Sequence, residues 1–241
     1  MKAIIIDDER LARNELKKLL QEFPEVEVVG EAANANEGID KIESLSPDLV
    51  FLDIQMPGKT GFDMLTELER APHVIFVTAY DEFALKAFEV NALDYLMKPV
   101  EPKRLADALM KVKQKDEEED FSSSNIRTGL LGEHDQVFVK DGERCWFVKL
   151  SEVRLFESVG NYAKVFFATN KPLILKSLNS LEERLDDKVF FRANRKHIVN
   201  LRMIDKIEPY FNGGLLLELH GGEKVEVSRR QAVKFKEMMS L

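Results

Sequence analysis

With 241 residues, 44% of them hydrophobic, the chain is long enough for two cores of ordinary domain size, about 100 to 150 residues each. Its formal charge of −8 is uneven: residues 1–115 hold 15 Lys/Arg against 22 Asp/Glu, residues 116–135 one Arg against seven acids, and residues 136–241 19 Lys/Arg against 14 acids, which leaves only the last part suited to a polyanion. The single Cys145 excludes an internal disulfide, and neither a basic leader before Asp7 nor an apolar run near the roughly 20 residues of a membrane helix is present, so a cytoplasmic protein without membrane insertion is expected.

From Lys2 to Lys115 short apolar runs alternate with segments of helical period. Residues 3–6, 26–29, 49–52, 74–77 and 93–97 predict five strands, and the helices between them make this an α/β domain with a (βα)5 doubly wound parallel sheet. Ala12, Leu16, Leu19, Leu20 and Phe23 recur on one helical face, as do Leu105, Ala108, Leu109 and Val112, which predicts two core-facing helices.

Ligands of open parallel sheets bind beyond the C-terminal ends of the strands. There the sequence sets Asp7 and Asp8 after the first strand, Asp53 after the third, Thr78 at the end of the fourth and Lys98-Pro99 after the fifth. Each residue alone has a plain reading: Asp7 or Asp8 caps a helix opening at Glu9, Asp53 is a turn residue before Pro57-Gly58, and Lys98 is a solvated cation. Together the carboxylates form an all-oxygen site suited to Mg²⁺, with Asp8 and Asp53 as direct ligands and Asp7 bound through water. Beside cations a carboxylate serves as nucleophile toward a phosphoryl group. Asp53 is the candidate nucleophile, Lys98 the neutralising cation and Thr78 the hydroxyl that bonds the new phosphate.

Four motifs in this part, Ile5-Ile6-Asp7-Asp8-Glu9, Leu52-Asp53-Ile54-Gln55-Met56-Pro57-Gly58, Thr78-Ala79-Tyr80 and Asp94-Tyr95-Leu96-Met97-Lys98-Pro99, resemble the receiver domains of two-component response regulators. The resemblance covers residues 1–115. It implies a sensor histidine kinase as phosphodonor, a metal shell completed by the backbone carbonyl of Gln55, and a cis Lys98-Pro99 peptide. It also implies a switch in which Thr78 moves toward the phosphate and Tyr95, otherwise a plain core aromatic, turns inward. That alters the face made by the fourth helix, fifth strand and fifth helix, through which phosphorylated copies are expected to dimerise. The receiver catalyses only its own phosphorylation and dephosphorylation, and no other enzyme activity is expected.

Asp116, Glu117, Glu118, Glu119 and Asp120 form an acidic block, followed by Ser122, Ser123, Ser124, Gly129 and Gly132. Such a stretch offers little apolar area, so 116–134 reads as a flexible linker that can lie against the basic part as an autoinhibitor.

Residues 135–241 read as a mainly β domain. Val137, Val139, Trp146, Val148, Val153, Leu155, Val165 and Phe167 alternate with polar neighbours, and Ser177 and Ser228 are placed to cap two helices. Basic residues gather at predicted loops and strand ends: Arg192, Arg195 and Lys196, then Arg202, then Arg229 and Arg230, with Asn161-Tyr162 in another turn. These residue types bond base edges and phosphates, and no helix-turn-helix, zinc-ligand set or basic zipper accompanies them.

On Phe156-Glu157-Ser158-Val159-Gly160-Asn161-Tyr162, Lys176-Ser177-Leu178, the run from Phe191 to Asn200 and Val227-Ser228-Arg229-Arg230, this part resembles the LytTR DNA-binding domains. The Tyr80 to Phe88 run is typical of receivers that accompany them. The resemblance implies contacts to double-stranded DNA from Asn161, Tyr162, Asn194, Arg195, Lys196, Arg229 and Arg230. The family usually has His-Arg where this chain has Asn194-Arg195, a departure that bears on the preferred DNA sequence. The whole reads as a phosphorylation-controlled transcription regulator. The alternative is a phosphorylation-controlled protein-interaction module without specific DNA binding.

Overall fold

The structure is a computed structural model that describes residues 1–79, 93–120, 130–142 and 144–239. The expected fourth helix with its Tyr80 to Phe88 run, and the Ser122 to Gly129 stretch of the expected linker, lie outside the described residues, as do the side chains of 115–120. Two compact units divide the chain: 1–120 with 136–147, and 130–135 with 148–239, counted over described residues.

The first unit is built on five parallel strands in the order β2-β1-β3-β4-β5: β1 Lys2–Ile6, β2 Glu27–Ala32, β3 Leu49–Leu52, β4 His73–Thr78 and β5 Asp94–Met97. Around it pack α1 Arg10–Leu20, α2 Ala35–Leu45, α3 Gly61–Glu67 and α4 Pro102–Asp120. Successive side chains of a strand point to opposite faces, and both faces here are apolar, as helices on both sides require. Ile4, Ile6, Val50, Leu52, Val74 and Phe76 pack with Ile42 of α2 and with Met64 and Leu65 of α3. Ala3, Ile5, Leu49, Phe51, Ile75 and Val77 pack with Leu16 and Leu20 of α1 and with Leu105, Ala108, Leu109 and Val112 of α4. The doubly wound sheet and both core-facing helices are therefore as the sequence predicts.

Two features of this unit depart from the sequence reading. Helix α4 runs through the acidic block to Asp120, where a linker from residue 116 is expected. Glu is a good helix former, and a helix already anchored by Val112 propagates more easily than one must nucleate.

The hairpin of β6 Gln136–Asp141 and β7 Arg144–Lys149, expected to open the last domain, groups up to Phe147 with the first unit. Its Phe138, Cys145 and Phe147 are buried in the same cluster as Phe62 of α3 and Phe76 of β4. Phe138 stacks on Phe62 at 6.3 Å and meets Phe147 edge-on at 4.9 Å, while Phe62 lies 5.0 Å from Phe76. Ala71 donates its backbone N–H to the Gln136 carbonyl at 2.8 Å, and Lys140 pairs with Asp63. Strand alternation alone reveals an apolar face but not the surface it meets.

The second unit contains two antiparallel sheets. One has the order β10-β9-β8-β12-β11, from β8 Val153–Val159, β9 Tyr162–Phe167, β10 Leu173–Ile174, β11 Phe190–Arg192 and β12 His197–Asn200. The other is β13 Ile204–Tyr210, β14 Gly214–Leu219 and β15 Lys224–Val227. Leu155, Phe166, Phe191 and Val199 of the first sheet share a core with Leu215, Leu217, Val225 and Val227 of the second.

Helix α5 Leu178–Glu182 opens at Ser177, whose hydroxyl accepts the Ser180 N–H at 3.1 Å as predicted. Helix α6 Arg229–Met239 buries Ala232 and Phe235, the latter edge-on to Phe191 at 5.3 Å. Among the described residues no helix is long and apolar enough to cross a membrane.

Candidate functional site

The C-terminal strand ends of the first unit gather the residues singled out there. Asp7 and Asp53, just after β1 and just after β3, are nearly fully buried, and Asp8 beside them is exposed. The backbone N–H of Asp53 donates to the Ile6 carbonyl at 2.8 Å, which brings the ends of β1 and β3 side by side. Carboxylate oxygens of Asp7, Asp8 and Asp53 lie within 4.8 Å of one another. The Lys98 ammonium reaches between them, 2.7 Å from Asp7 Oδ2 and 2.7 Å from Asp53 Oδ2. Its backbone N–H donates to the Thr78 carbonyl at 2.9 Å, and the Lys98-Pro99 peptide is cis, as the resemblance implies.

Asp7 divides its oxygens between two tasks. Oδ1 accepts the N–H of Glu9, the residue before α1, at 2.8 Å, while Oδ2 takes Lys98. The N-terminus of α1 carries no side-chain cap, contrary to the capping reading. Burial raises the Asp7 carboxyl above its ordinary value, a rise that the Lys98 and Glu9 hydrogen bonds oppose. Burial also works against the Lys98 ammonium, but its bonds to Asp53 and Asp7 outweigh that cost and raise its value overall. The remaining Asp53 oxygen, Oδ1, accepts the Gln55 N–H at 3.1 Å.

Thr78 is fully buried, and its hydroxyl meets no hydrogen-bond partner among the described residues. A buried hydroxyl in that state costs on the order of 1–3 kcal/mol and points to an oxygen-rich group that binds there. Three clustered carboxylates and this orphaned hydroxyl fit a hard divalent cation with a phosphoryl oxygen beside it. Tyr95 is buried on β5, in register with Phe76 of β4.

In the second unit, backbone hydrogen bonds bring three loops to one edge. Ser158, near the end of β8, donates its N–H to the Lys196 carbonyl at 2.8 Å, so the Gly160-Asn161-Tyr162 turn adjoins the loop before β12. Ser228 donates to the Ala193 carbonyl at 3.1 Å, which joins the start of α6 to that loop. Asn161, Tyr162, Arg195, Lys196, Arg229 and Arg230 are all exposed at this edge.

Asn194 of the loop and Arg192 at the end of β11 act differently from what the sequence suggests. The Asn194 amide, assigned a DNA contact, is engaged within the protein: Nδ2 donates to the Glu226 carbonyl at 2.6 Å and meets His197 Nδ1 at 3.1 Å, and Oδ1 accepts the Lys196 N–H at 2.7 Å. Arg192, counted among the basic residues, turns back and clamps the loop through the carbonyls of Asn194 at 2.7 Å and Arg195 at 2.9 Å. Arg202 follows β12 and so lies at the opposite strand end from this loop, paired with Glu133 at 2.7 Å. His197 is half-buried, and burial lowers its value despite the nearby Glu157.

Sequence reasoning missed the partly buried pair of Arg154 with Glu223, at 2.8 and 3.1 Å, and the buried Asn200, whose amide donates to the Val153 carbonyl at 2.9 Å. Neither motif nor spacing announces a partner so distant in sequence.

The chain is similar to known proteins over its whole length. The family model described as response regulator receiver domain matches residues 3–110, and that described as LytTr DNA-binding domain matches residues 143–240. An uncharacterized response regulatory protein of Vibrio cholerae is 41% identical over 241 residues, covering 99% of this chain and 98% of that protein. The sensory transduction protein LytT of Enterococcus faecalis is 34% identical and the transcriptional regulatory protein BtsR of Escherichia coli 36%, each covering 100% of both chains.

Proposed function

Because this chain belongs to the response regulators that join a receiver to a LytTR DNA-binding domain, and is a phosphorylation-controlled DNA-binding transcription regulator, we propose that Asp53 is its phosphoacceptor and that the loop edge of the second unit reads duplex DNA. The protein-interaction module without DNA binding is not favoured.

The single observation that carries the phosphoacceptor assignment is the Lys98 ammonium 2.7 Å from both Asp7 and Asp53, at the strand ends where the Thr78 hydroxyl has no partner among the described residues. An Asp53 oxygen attacks the phosphorus held by a histidine of the sensor kinase. The bond from phosphorus to the imidazole nitrogen breaks as the acyl phosphate forms. Lys98 keeps its place on the pocket and neutralises charge on the phosphoryl oxygens, while Thr78 donates its hydroxyl hydrogen to one of them.

Asp8 and Asp53 would hold Mg²⁺ directly, with Asp7 acting through water and the Gln55 carbonyl completing the shell; the ion supplies further neutralisation of developing negative charge. The bond gained by Thr78 exists only in the phosphorylated form and biases the switch toward one of its two states. Tyr95 turns inward with that switch and changes the face used for dimerisation. Slow hydrolysis of the acyl phosphate by the same pocket resets the switch. A cytoplasmic site of action fits these partners.

On the DNA side, Asn161, Tyr162, Arg195, Lys196, Arg229 and Arg230 face the duplex, and Asn194 aims the loop that carries Arg195 and Lys196. Two copies held together gain effective concentration on adjacent half-sites.

The test is phosphorylation of the full chain by acetyl phosphate with Mg²⁺, followed by selection of bound duplexes from a random library. A covalent phosphate absent from Asp53→Asn, and a defined motif lost in Arg195→Ala and Arg229→Ala, is the expected result. Equal labelling of Asp53→Asn overturns the phosphoacceptor assignment, and an unchanged motif in both arginine variants overturns the interface.

A further inference from the structure

Phe211 is 79% exposed, more than any other large hydrophobic residue described. It is nonetheless held in place. The Tyr210 ring packs against it edge-on, with centroids 4.9 Å apart, and the Tyr210 hydroxyl bonds the Glu226 side chain. Asn212 next to it adopts a left-handed backbone at φ 55°, and Gly213 continues at φ 79°. Gly214 then passes so near β15 that a Cβ there would come within 2.8 Å of the Val227 carbonyl. The backbone is thus fixed on both sides of a side chain turned into solvent.

The neighbours of this turn are the residues of the basic edge. In the antiparallel register Leu215 opposes Val227, so the turn lies at the strand end from which Ser228 and Arg229 lead into α6. The Arg229 Cγ is 3.9 Å from the point where a Gly213 Cβ would sit. Glu226, which bonds Tyr210 with its side chain, also accepts the Asn194 amide with its carbonyl. One residue therefore ties the Phe211 turn to the loop bearing Arg195 and Lys196.

We propose that Phe211 is an apolar reading residue of the DNA interface, its ring packing on the C5-methyl group of a thymine between the contacts of the Arg195-Lys196 loop and those of Arg229. This rests on the DNA reading of those residues. The cations of this edge recognise phosphates and base acceptors. A thymine methyl offers neither, and only an apolar group gains by covering it. An edge that exposes Arg195, Lys196, Arg229 and Arg230 selects a polyanion over an apolar protein partner.

The test uses the phosphorylated full chain. Duplexes are selected from a random library, and each thymine of the selected site is replaced singly by deoxyuridine, which removes the methyl and keeps the hydrogen-bonding edge. Dissociation constants are measured for the unaltered protein, Phe211→Ala and Arg229→Ala. Phe211→Ala is expected to bind about tenfold more weakly, with an unchanged salt slope because no phosphate contact is lost. One deoxyuridine is expected to weaken the unaltered protein about fourfold, as loss of one buried methyl implies, with no further loss in Phe211→Ala. If Arg229→Ala loses the motif but Phe211→Ala binds as tightly as the unaltered protein, or every deoxyuridine affects both proteins alike, Phe211 does not read a methyl while the DNA interface stands. If the unaltered protein selects no motif, both ideas fall together.

Discussion

The acidic pocket and the basic edge reach function by opposite routes. In the pocket, strand ends bring Asp7, Asp53 and Thr78 out of water, and one ammonium serves two carboxylates. At the edge the charged side chains stand in solvent, and it is their backbone that is fixed, through the carbonyls of Ala193, Asn194, Lys196 and Glu226. Low dielectric makes each buried partner indispensable, whereas exposed charges are screened and act nearly independently. Loss of one pocket residue should therefore be far more damaging than loss of one edge residue.

The largest effect is expected at Asp53. Asp53→Asn should abolish phosphorylation by acetyl phosphate as read by intact-protein mass spectrometry, and a retained phosphate would remove the pocket from this comparison. Lys98→Ala should slow the same reaction on the order of 10²-fold, the scale for loss of one group that stabilises transition-state charge. A loss of only a few fold would make the pocket as tolerant as the edge.

The pair Arg154–Glu223 separates burial from location, since it lies in the basic unit but is largely buried. Arg154→Met should destabilise that unit by about 3 kcal/mol in urea unfolding, the scale for breaking a buried pair. The Arg154 hydrogen bond holds the Glu223 carboxyl below its usual 4.5. The stability it contributes is therefore present above about pH 4.5 and lost as pH falls through the lowered value, and this acid-sensitive part should be missing from Arg154→Met.

Smaller effects belong to the edge. Arg195→Ala and Arg229→Ala should each weaken binding to the selected duplex by about 1–3 kcal/mol. The double variant should come close to the sum. A strongly non-additive result would mean that the edge works as one buried-type network after all. Smallest of all, Arg202→Ala, whose pair with Glu133 is largely exposed on the arginine side, should leave DNA affinity unchanged and alter stability by less than about 1 kcal/mol.

The pocket was legible in the sequence because the sheet does the sorting. Once residues 3–6, 49–52 and 74–77 read as parallel strands, Asp7, Asp53 and Thr78 necessarily share one end, and Lys98 follows from the fifth strand. At the edge, residue types pointed to the right loops but not to the direction of each side chain. Arg192 and Asn194 carry the expected chemistry yet spend it on backbone atoms nearby. Phe211 had a signal that went unused, two aromatics set against Asn212-Gly213-Gly214, where a turn cannot bury them both.

The β6–β7 hairpin lay further out of reach, since an alternating pattern says that a strand has an apolar face and leaves open which aromatic surface receives it. Low hydrophobicity likewise marked 116–120 as unable to form a core, but a helix needs none of its own when α4 supplies the anchor.

The hairpin also bears on how such chains can be recombined. The path of the backbone belongs to the first unit, leaves it, comes back for residues 136–147 and leaves again at Val148, partway along β7. A chimera spliced in the stretch before Gln136 would marry the hairpin of one parent to the Phe62 and Phe76 surface of another, with Lys140 facing whatever stands in place of Asp63. The inheritable module on the receiver side thus includes a piece of sequence written after the join, and a successful graft must move that piece with it or preserve the surface it covers.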